Sequence, residues 1–427
     1  MKIAFYTLGC KANQFETQAL ERLFQQRGHQ LVPFDGFADI YIVNTCTVTA
    51  LSDKKSRNAA RRCRRLNPNC RLILCGCYAQ LKPEEAKALC DADAVVGTAD
   101  KSRIVDIAEG LAPDGVTPLW QGPRPGFDLL PAGGLSGRTR ALLKVQDGCQ
   151  NFCTYCRIPY ARGPERSMAL DTALAESARL AAEGYREIVL TGIEISAYGR
   201  DLPGTPTLMD LIEGVCRAAP GIRLRLGSLE PRTVTTDFAA RCAALPQLCP
   251  QFHLSLQSGC AKTLKAMNRK YDPARYLESC RLLRQAMPGC AITTDLIVGF
   301  PGETEQDLTE SLAFVEQCRL CKVHIFPFSR REGTVAWSMP GQVPNAQKAL
   351  RAAKAAEVCR RLELDYLRSF VGQTRPVLFE QEEGGFFSGH IPEYCLVRAR
   401  GQGLHNQILP VRITGLEGTT LLGEVTV

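Results

Sequence analysis

The sequence predicts an α/β protein in three parts. These are an N-terminal doubly wound parallel sheet, a central partial (β/α)6 barrel and a small C-terminal antiparallel β-barrel. Three observations predict it. Short apolar runs alternate with helical patterns over residues 1–115, six further strand-and-helix repeats fill residues 139–368, and residues 369–427 turn to short alternating strands broken by glycine.

In the first part, KIAFYTLG is a strand and Asn13 to Arg27 a helix closed by Gly28. DIYIVNT and RLILCG are further strands with a basic helix between them, and AVVGT with the helical Lys101–Leu111 completes the alternation. Residues 116–138, rich in proline and glycine, form a linker. The six candidate strands of the barrel are ALLKVQD, EIVLTGI, RLRLGSL, FHLSLQS, AITTDLIVGF and KVHIFPF. A parallel barrel places its site at the strand C-termini. QTRPVLFE, SGHIPEYCLVRAR, NQILPVRITGLEG and TTLLGEVTV supply the last barrel.

Composition bounds the function. A hydrophobic fraction of 45% and a charged fraction of 22% describe a globular chain with a sizeable interior. No apolar run reaches the roughly 20 residues that span a bilayer, so no membrane partner is expected. The N-terminus reads as a strand rather than a signal peptide, which implies a cytoplasmic protein. Twenty cysteines in that setting are reduced thiols rather than disulfides. Cys216, Cys242, Cys249, Cys280, Cys290, Cys318, Cys321 and Cys359 are scattered through amphipathic segments and read as small buried hydrophobes.

Two constellations stand apart. KVQDGCQNFCTYCRIPYARG sets Cys149, Cys153 and Cys156 in a C-x3-C-x2-C array after the first barrel strand. Three close thiolates can bind three corners of a cubane and leave the fourth iron open. A structural zinc is the alternative, but it wants four N/S ligands, and no histidine or fourth cysteine stands near in sequence. Cys10, Cys46 and Cys77 each follow a strand of the N-terminal sheet, and strand C-termini of such a sheet gather on one edge. A second cluster is one reading of these three, and unrelated thiols in a cysteine-rich chain the other. Cys75 competes with Cys77, with which it shares a strand face; Cys63, Cys70 and Cys90 are weaker candidates.

Gly192, Glu194, Ser228, Glu230, Ser255, Gln257 and Asp295 stand at barrel strand ends, each either a ligand contact or a satisfied core polar group. Glu303 reads as a first-turn acid favoured by a helix dipole. Lys54, Lys55, Arg57, Arg61, Arg62, Arg64 and Arg65 run without an intervening acid, and the net charge is +8. That excess favours a polyanion over a merely solvated helix face.

With its C-x3-C-x2-C loop and strand-end motifs TGIEISAYG, LGSLEP, HLSLQSG and TTDLIVGFPGE, the barrel resembles the radical S-adenosylmethionine superfamily. Together with LGCKANQ, NTCTVT, CGCYAQ and a tail beginning VGQTRPVLFE, nearly the whole chain resembles the methylthiotransferases, whose tail is an RNA-binding TRAM barrel. The resemblance implies two 4Fe–4S clusters, on Cys149/Cys153/Cys156 and on Cys10/Cys46/Cys77, and favours Cys77 over Cys75. It implies S-adenosylmethionine held by the strand-end polar residues, one molecule methylating a sulfur at the second cluster and another cleaved to a radical at the first. LGCKANQ, NTCTVT, QDGCQNFCTYC and FSRREGT resemble the branch that methylthiolates C2 of N6-threonylcarbamoyladenosine at position 37, beside the tRNA anticodon. Its partners would be the anticodon stem–loop, an electron-donor protein and a sulfur source. The rival readings are the same reaction on N6-isopentenyladenosine in tRNA, aspartate methylthiolation on a ribosomal protein, and a non-catalytic iron–sulfur RNA-binding redox sensor.

Overall fold

The N-terminal strands are apolar on both faces, as a sheet covered by helices on both sides requires. In the computed structural model, which describes residues 1–112, 115–116, 126–134 and 137–426, β1 (Lys2–Thr7), β2 (Gln30–Leu31), β3 (Ile40–Thr45), β4 (Arg71–Gly76), β5 (Ala94–Val95) and β6 (Gly115–Val116) form one parallel sheet. The strand order is β2-β1-β3-β4-β5-β6. Its helices are α1 (Lys11–Gln26), α2 (Ala50–Leu66), α3 (Cys77–Leu81), α4 (Pro83–Cys90) and α5 (Arg103–Ala108). Ile40, Ile42 and Ile73 pack against Leu20 and Phe24 of α1 and Ile104 of α5. Their neighbours Tyr41, Val43, Leu72 and Leu74 face Ala60 and Cys63 of α2 and Tyr78 of α3. The chain winds one way from β1 to β2 and the other way from β3 onward, so the switch point lies between β1 and β3, where ligands of such sheets collect.

In the second part β7 (Arg140–Lys144) is followed by a small ribbon, β8 (Gln146–Asp147) with β9 (Arg166–Ser167), and α6 (Ile158–Arg162) lies between the ribbon strands. Next come α7 (Leu170–Ala182), β10 (Glu187–Thr191), α8 (Leu208–Ala218), β11 (Arg223–Leu226), β12 (Ser228–Leu229), α9 (Thr236–Ala243) and β13 (Gln251–Leu254). The part ends with α10 (Ala261–Ala266), α11 (Pro273–Ala286), β14 (Ala291–Val298), α12 (Glu305–Gln317), β15 (Lys322–Pro327), α13 (Val335–Ser338) and α14 (Asn345–Arg368). All six predicted strands are present and parallel to their neighbours. They divide into a sheet β11-β10-β7 and a sheet β12-β13-β14-β15, joined through a bridge from Leu224 to Leu248. The barrel is therefore open along one side. Phe15 and Ala19 of α1 enter its core, so one helix serves two cores at once.

The last strands, β16 (Thr374–Glu383), β17 (Phe386–His390), β18 (Leu396–Arg400), β19 (Ile408–Glu417) and β20 (Thr420–Val425), form a closed barrel. The expectation of an antiparallel barrel needs one correction: β18 and β20 pair in parallel, and that pairing closes it. This barrel abuts the N-terminal ends of the central strands, where Arg140 pairs with Glu380 at 2.7 Å and Arg225 donates to the Pro392 carbonyl at 2.8 Å.

Much of the expected linker lies outside the described residues, but its second half is packed. Leu130 and Ala132 are buried, and Arg22 of α1 and Arg179 of α7 both donate to the Ala132 carbonyl, at 2.5 and 2.7 Å. Among the described residues, no helix is long and apolar enough to cross a membrane.

Candidate active site

Cys10 and Cys46 emerge at the switch point, directly after β1 and β3, and Asn13 ties the two loops together. Its Nδ2 donates to the Leu8 carbonyl at 2.7 Å and to the Thr45 carbonyl at 3.0 Å. Gly9, at φ +111°, lies so close to Cys46 that a Cβ there would stand 3.1 Å from its sulfur. Cys77 arrives by a different device. Gly76, at φ +94°, ends β4 and turns the chain into α3, so Cys77 leaves the strand face that the sequence shares between it and Cys75. A Cβ at Gly76 would fall 2.4 Å from the Thr45 carbonyl oxygen. Cys75 stays on β4, wholly buried in the core with Ile73 and Ile104.

Burial pushes the Cys46 thiol up to about 12, with Cys77 and Cys10 near enough to add to it. Cys77 is raised by burial too, while Arg162 and Lys101 pull it back. Cys63, Cys70 and Cys90 are buried with the α2 face of the sheet, away from this edge.

The second trio sits on the loop between β8 and α6. Burial pushes Cys149 and Cys156 each up to about 12, and Cys153 acts on both. Sequence reasoning missed Arg269, whose Nη1 donates to the Cys153 sulfur at 3.2 Å and whose Nε donates to the Tyr271 hydroxyl at 3.0 Å. No local motif marks it; it follows α10, more than a hundred residues from the loop it serves.

Each trio offers three thiols, which match three corners of a cubane, whereas a structural zinc takes four N/S ligands. Zn–S bonds of about 2.3 Å in a tetrahedron put sulfurs roughly 3.8 Å apart. Among the described residues, Cys260, Asp307 and Glu310 bring three ligand atoms within 4.8 Å of one another. The thiols of Cys46, Cys77, Cys149 and Cys156, raised by burial, give up their protons on binding a cation, which removes that cost.

The strand-end residues divide. Gly192, Ser228 and Asp295 line a chamber of 640 Å3 that also takes in Cys10 at one end and Tyr394 of the C-terminal barrel at the other. A Cβ on Gly192 would meet the Gln146 carbonyl oxygen at 2.8 Å, and Gln146 Oε1 accepts from the amides of Ile193 and Glu194 at 3.0 and 2.8 Å. Burial raises the Glu194 carboxyl to about 7, partly offset by Ser196 and Arg269. Its charge acts on Cys149, which puts it beside the second trio.

Glu230 turns elsewhere, holding Arg232 at 2.9 Å and lining a separate cleft. Ser255 offers its carbonyl to Tyr271 and Arg269. Gln257 adopts φ +69° and bridges to β14 through its backbone, its N–H donating to the Asp295 carbonyl at 2.9 Å. Glu303 is not a first-turn acid: α12 begins after it, and its carboxylate instead closes the preceding turn, accepting from Gly299 N at 2.8 Å and Arg351 at 2.9 Å.

The basic run is not uniform either. Lys54, Lys55, Arg61 and Arg65 are exposed, Arg62 meets Asp35 at 2.7 Å, and Arg57 lies over the Tyr78 ring. Arg64 is a structural cation, bound to Asp93 at 3.0 Å and to the Cys70 carbonyl.

Residues 143–315 match the radical SAM superfamily, and residues 2–97 match an uncharacterized protein family, UPF0004. The chain is 35% identical to the threonylcarbamoyladenosine tRNA methylthiotransferase MtaB of Bacillus subtilis, over 96% of this chain and 93% of that one. It is 38% identical to the protein of the same name from Thermotoga maritima, over 88% and 85%. It is 32% identical to the tRNA-2-methylthio-N(6)-dimethylallyladenosine synthase of Pelotomaculum thermopropionicum, over 99% and 97%. The fold is shared with the radical S-adenosylmethionine methyltransferase TsrM of Kitasatospora setae, at a TM-score of 0.56 and 13% identity over 91% and 80% of the two chains. With relatives of this identity along almost its whole length, the chain belongs to the radical S-adenosylmethionine methylthiotransferase family.

Proposed function

We propose that this enzyme methylthiolates C2 of N6-threonylcarbamoyladenosine at position 37 of tRNA, next to the anticodon. Its family uses S-adenosylmethionine and two 4Fe–4S clusters. Cys149, Cys153 and Cys156 would hold one and Cys10, Cys46 and Cys77 the other. The observation that carries the reading is the shared chamber: Cys10 of one trio and Gly192, beside the other, line the same space. The relatives named for threonylcarbamoyladenosine supply the choice of base.

Bound at these sites, the clusters and S-adenosylmethionine supply one-electron cleavage and a methylated sulfur, which an unactivated aromatic carbon requires. The chain's own part is placement. Gln146 fixes the loop carrying Gly192 and Glu194, so that the loop can offer backbone groups to the cofactor's methionine end. Ser228 and Asp295 face the chamber as further cofactor contacts. Arg269 clamps Cys153 from outside. The adenine leaves its stack to enter, which costs least in a single-stranded loop. An electron-donor protein and a sulfur source complete the set of partners.

Mass spectrometry of tRNA nucleosides from cells with and without the gene tests this. Loss of 2-methylthio-threonylcarbamoyladenosine alone supports it; loss of the isopentenyl product instead moves the enzyme to the other branch. In the purified enzyme, Cys149→Ala, Cys153→Ala or Cys156→Ala should abolish 5′-deoxyadenosine formation. Cys46→Ala should keep part of that activity and give no methylthio product, and a Cys46→Ala enzyme that still made product would sink the two-cluster assignment.

A further inference from the structure

Among the described residues that line the chamber, one ammonium has no ion-pair partner. Asp295 faces His253 at 3.5 Å, Lys322 meets Glu363 at 3.4 Å, and Glu393 holds Arg375. Lys11, the first residue of α1 and the neighbour of Cys10, also lines this space. Its side chain is exposed into the chamber, within electrostatic reach of Arg225, Arg140 and Glu187. Those two guanidiniums are already committed, Arg225 to Glu187 at 2.7 Å and Arg140 to Glu380 at 2.7 Å. Among the described residues, none accepts a hydrogen bond or forms an ion pair with the Lys11 ammonium.

An uncompensated ammonium in a partly dry cavity is costly, and an arriving anion removes that cost. The adenine substituent of the proposed substrate ends in a carboxylate, whereas an isopentenyl group is a plain hydrocarbon. Lys11 stands beside Cys10, at the end of the chamber where C2 must meet the sulfur. The substituent on N6, two ring bonds away, is carried into the same space.

Resting on the reading above, we propose that Lys11 is the specificity-determining residue of this enzyme, binding the carboxylate of the threonylcarbamoyl group through its ammonium. The ion pair selects the acidic substituent and turns the base so that C2 faces Cys10, Cys46 and Cys77. An isopentenyl base would cover the ammonium without pairing it, and is rejected for that reason.

The test uses the full-length enzyme with both clusters reconstituted anaerobically. Its probes are anticodon stem–loop RNAs carrying N6-threonylcarbamoyladenosine, its methyl ester, or N6-isopentenyladenosine. Wild type should bind the acid about 30-fold or more tightly than the ester, the span expected when one partner of a buried charge pair is removed. Lys11→Met should bind acid and ester alike, at the wild-type ester's affinity, and Lys11→Arg should restore part of the preference. Iron content and 5′-deoxyadenosine formation report whether each variant keeps its clusters. A Lys11→Met enzyme that still prefers acid to ester overturns the proposal. So does a wild type that methylthiolates the acid yet binds both forms equally, a result that needs no variant to fold. A wild type that acts only on the isopentenyl RNA overturns the substrate reading itself, which separates the two failures.

Discussion

Arg162 grips Glu16 with both terminal guanidinium nitrogens, Nη1 to Oε1 at 2.9 Å and Nη2 to Oε2 at 3.2 Å, and neither side chain is exposed to solvent. Glu16 belongs to α1 and Arg162 to α6, so the pair fastens the N-terminal sheet to the loop that carries Cys149, Cys153 and Cys156. Lys101 and Lys144 also donate to Glu16, the latter at 2.9 Å, and Asp147 accepts from Arg162 at 2.9 Å. Glu16→Gln would leave these cations facing a neutral amide. Breaking such a buried pair costs about 3–5 kcal/mol. Urea unfolding should show that loss, whereas Asp106→Asn, which breaks the solvent-exposed pair with Arg27, should leave the unfolding midpoint close to wild type. Equal effects would mean that the network does not bind the two parts together.

The same network sets an acid limit. Burial alone would raise Glu16, but Arg162, Lys101 and Lys144 outweigh it and hold the carboxyl well below its ordinary 4.5. A depressed acid stabilises above its unfolded value, and that contribution disappears as pH falls through the folded one. The gap between wild type and Glu16→Gln should therefore be full at neutral pH and shrink only below 4.5. Glu194 has the opposite sign, because burial raises it to about 7. In the metal-free protein, Glu194→Gln should gain stability relative to wild type as pH climbs from 4.5 to 7, and stay level beyond.

How far the sequence foretells this architecture depends on the range of the interaction. The two-faced strands of the N-terminal sheet and the six barrel strands are periodic within a few residues, so their pattern is legible. Cys149, Cys153 and Cys156 share one loop and are legible for the same reason. Cys10, Cys46 and Cys77 meet only because the strand order brings β1, β3 and β4 side by side, which spacing along the chain does not contain. Lys11, Glu16, Arg162 and Arg269 were invisible: each acts on a partner more than a hundred residues away or on a cavity that three parts of the fold enclose. The basic helix shows the converse limit, since a run of like charges does not reveal that Arg64 is spent on Asp93.

Gly76 is where backbone conformation separates Cys77 from Cys75. At φ +94° it turns β4 into α3, and a methyl group there would meet both the Thr45 carbonyl and Asn44 Oδ1, at 2.4 and 2.5 Å. Neither atom can withdraw freely, because Asn44 donates to Thr17 and the Asn13 carbonyl from inside the core. Gly76→Ala should displace Cys77 from Cys10 and Cys46. Anaerobic reconstitution should then give about half the iron of wild type, with 5′-deoxyadenosine formation retained. A variant with full iron content would show that the turn is not what delivers Cys77.

Arg269 should tune the cluster proposed on Cys149, Cys153 and Cys156. A guanidinium 3.2 Å from the Cys153 sulfur favours whichever state carries more negative charge, and reduction adds an electron. Removing the donor in Arg269→Gln should shift the reduction potential of that cluster to more negative values, read by anaerobic titration with electron paramagnetic resonance. The cluster on Cys10, Cys46 and Cys77 should keep its potential. An unchanged potential at the first cluster would mean that the contact only braces the loop, with Tyr271 and the Ser255 carbonyl as its other supports.

An RNA-binding role for α2 would divide its cations by whether each is free or already paired. Each phosphate neutralised by a free cation releases counterions and steepens the salt dependence of binding by somewhat less than one unit. Lys54, Lys55 and Arg65 are exposed and available for this. Replacing all three with Gln should flatten the plot of log affinity against log salt by about two to three units, with little change in stability. Arg64→Gln should do the reverse. It removes the contacts to Asp93 and the Cys70 carbonyl and so destabilises the sheet edge, but its charge is already answered and the salt slope should stay as in wild type. If Arg64→Gln flattened the slope as much as an exposed lysine does, its pairing with Asp93 would have to open when RNA binds.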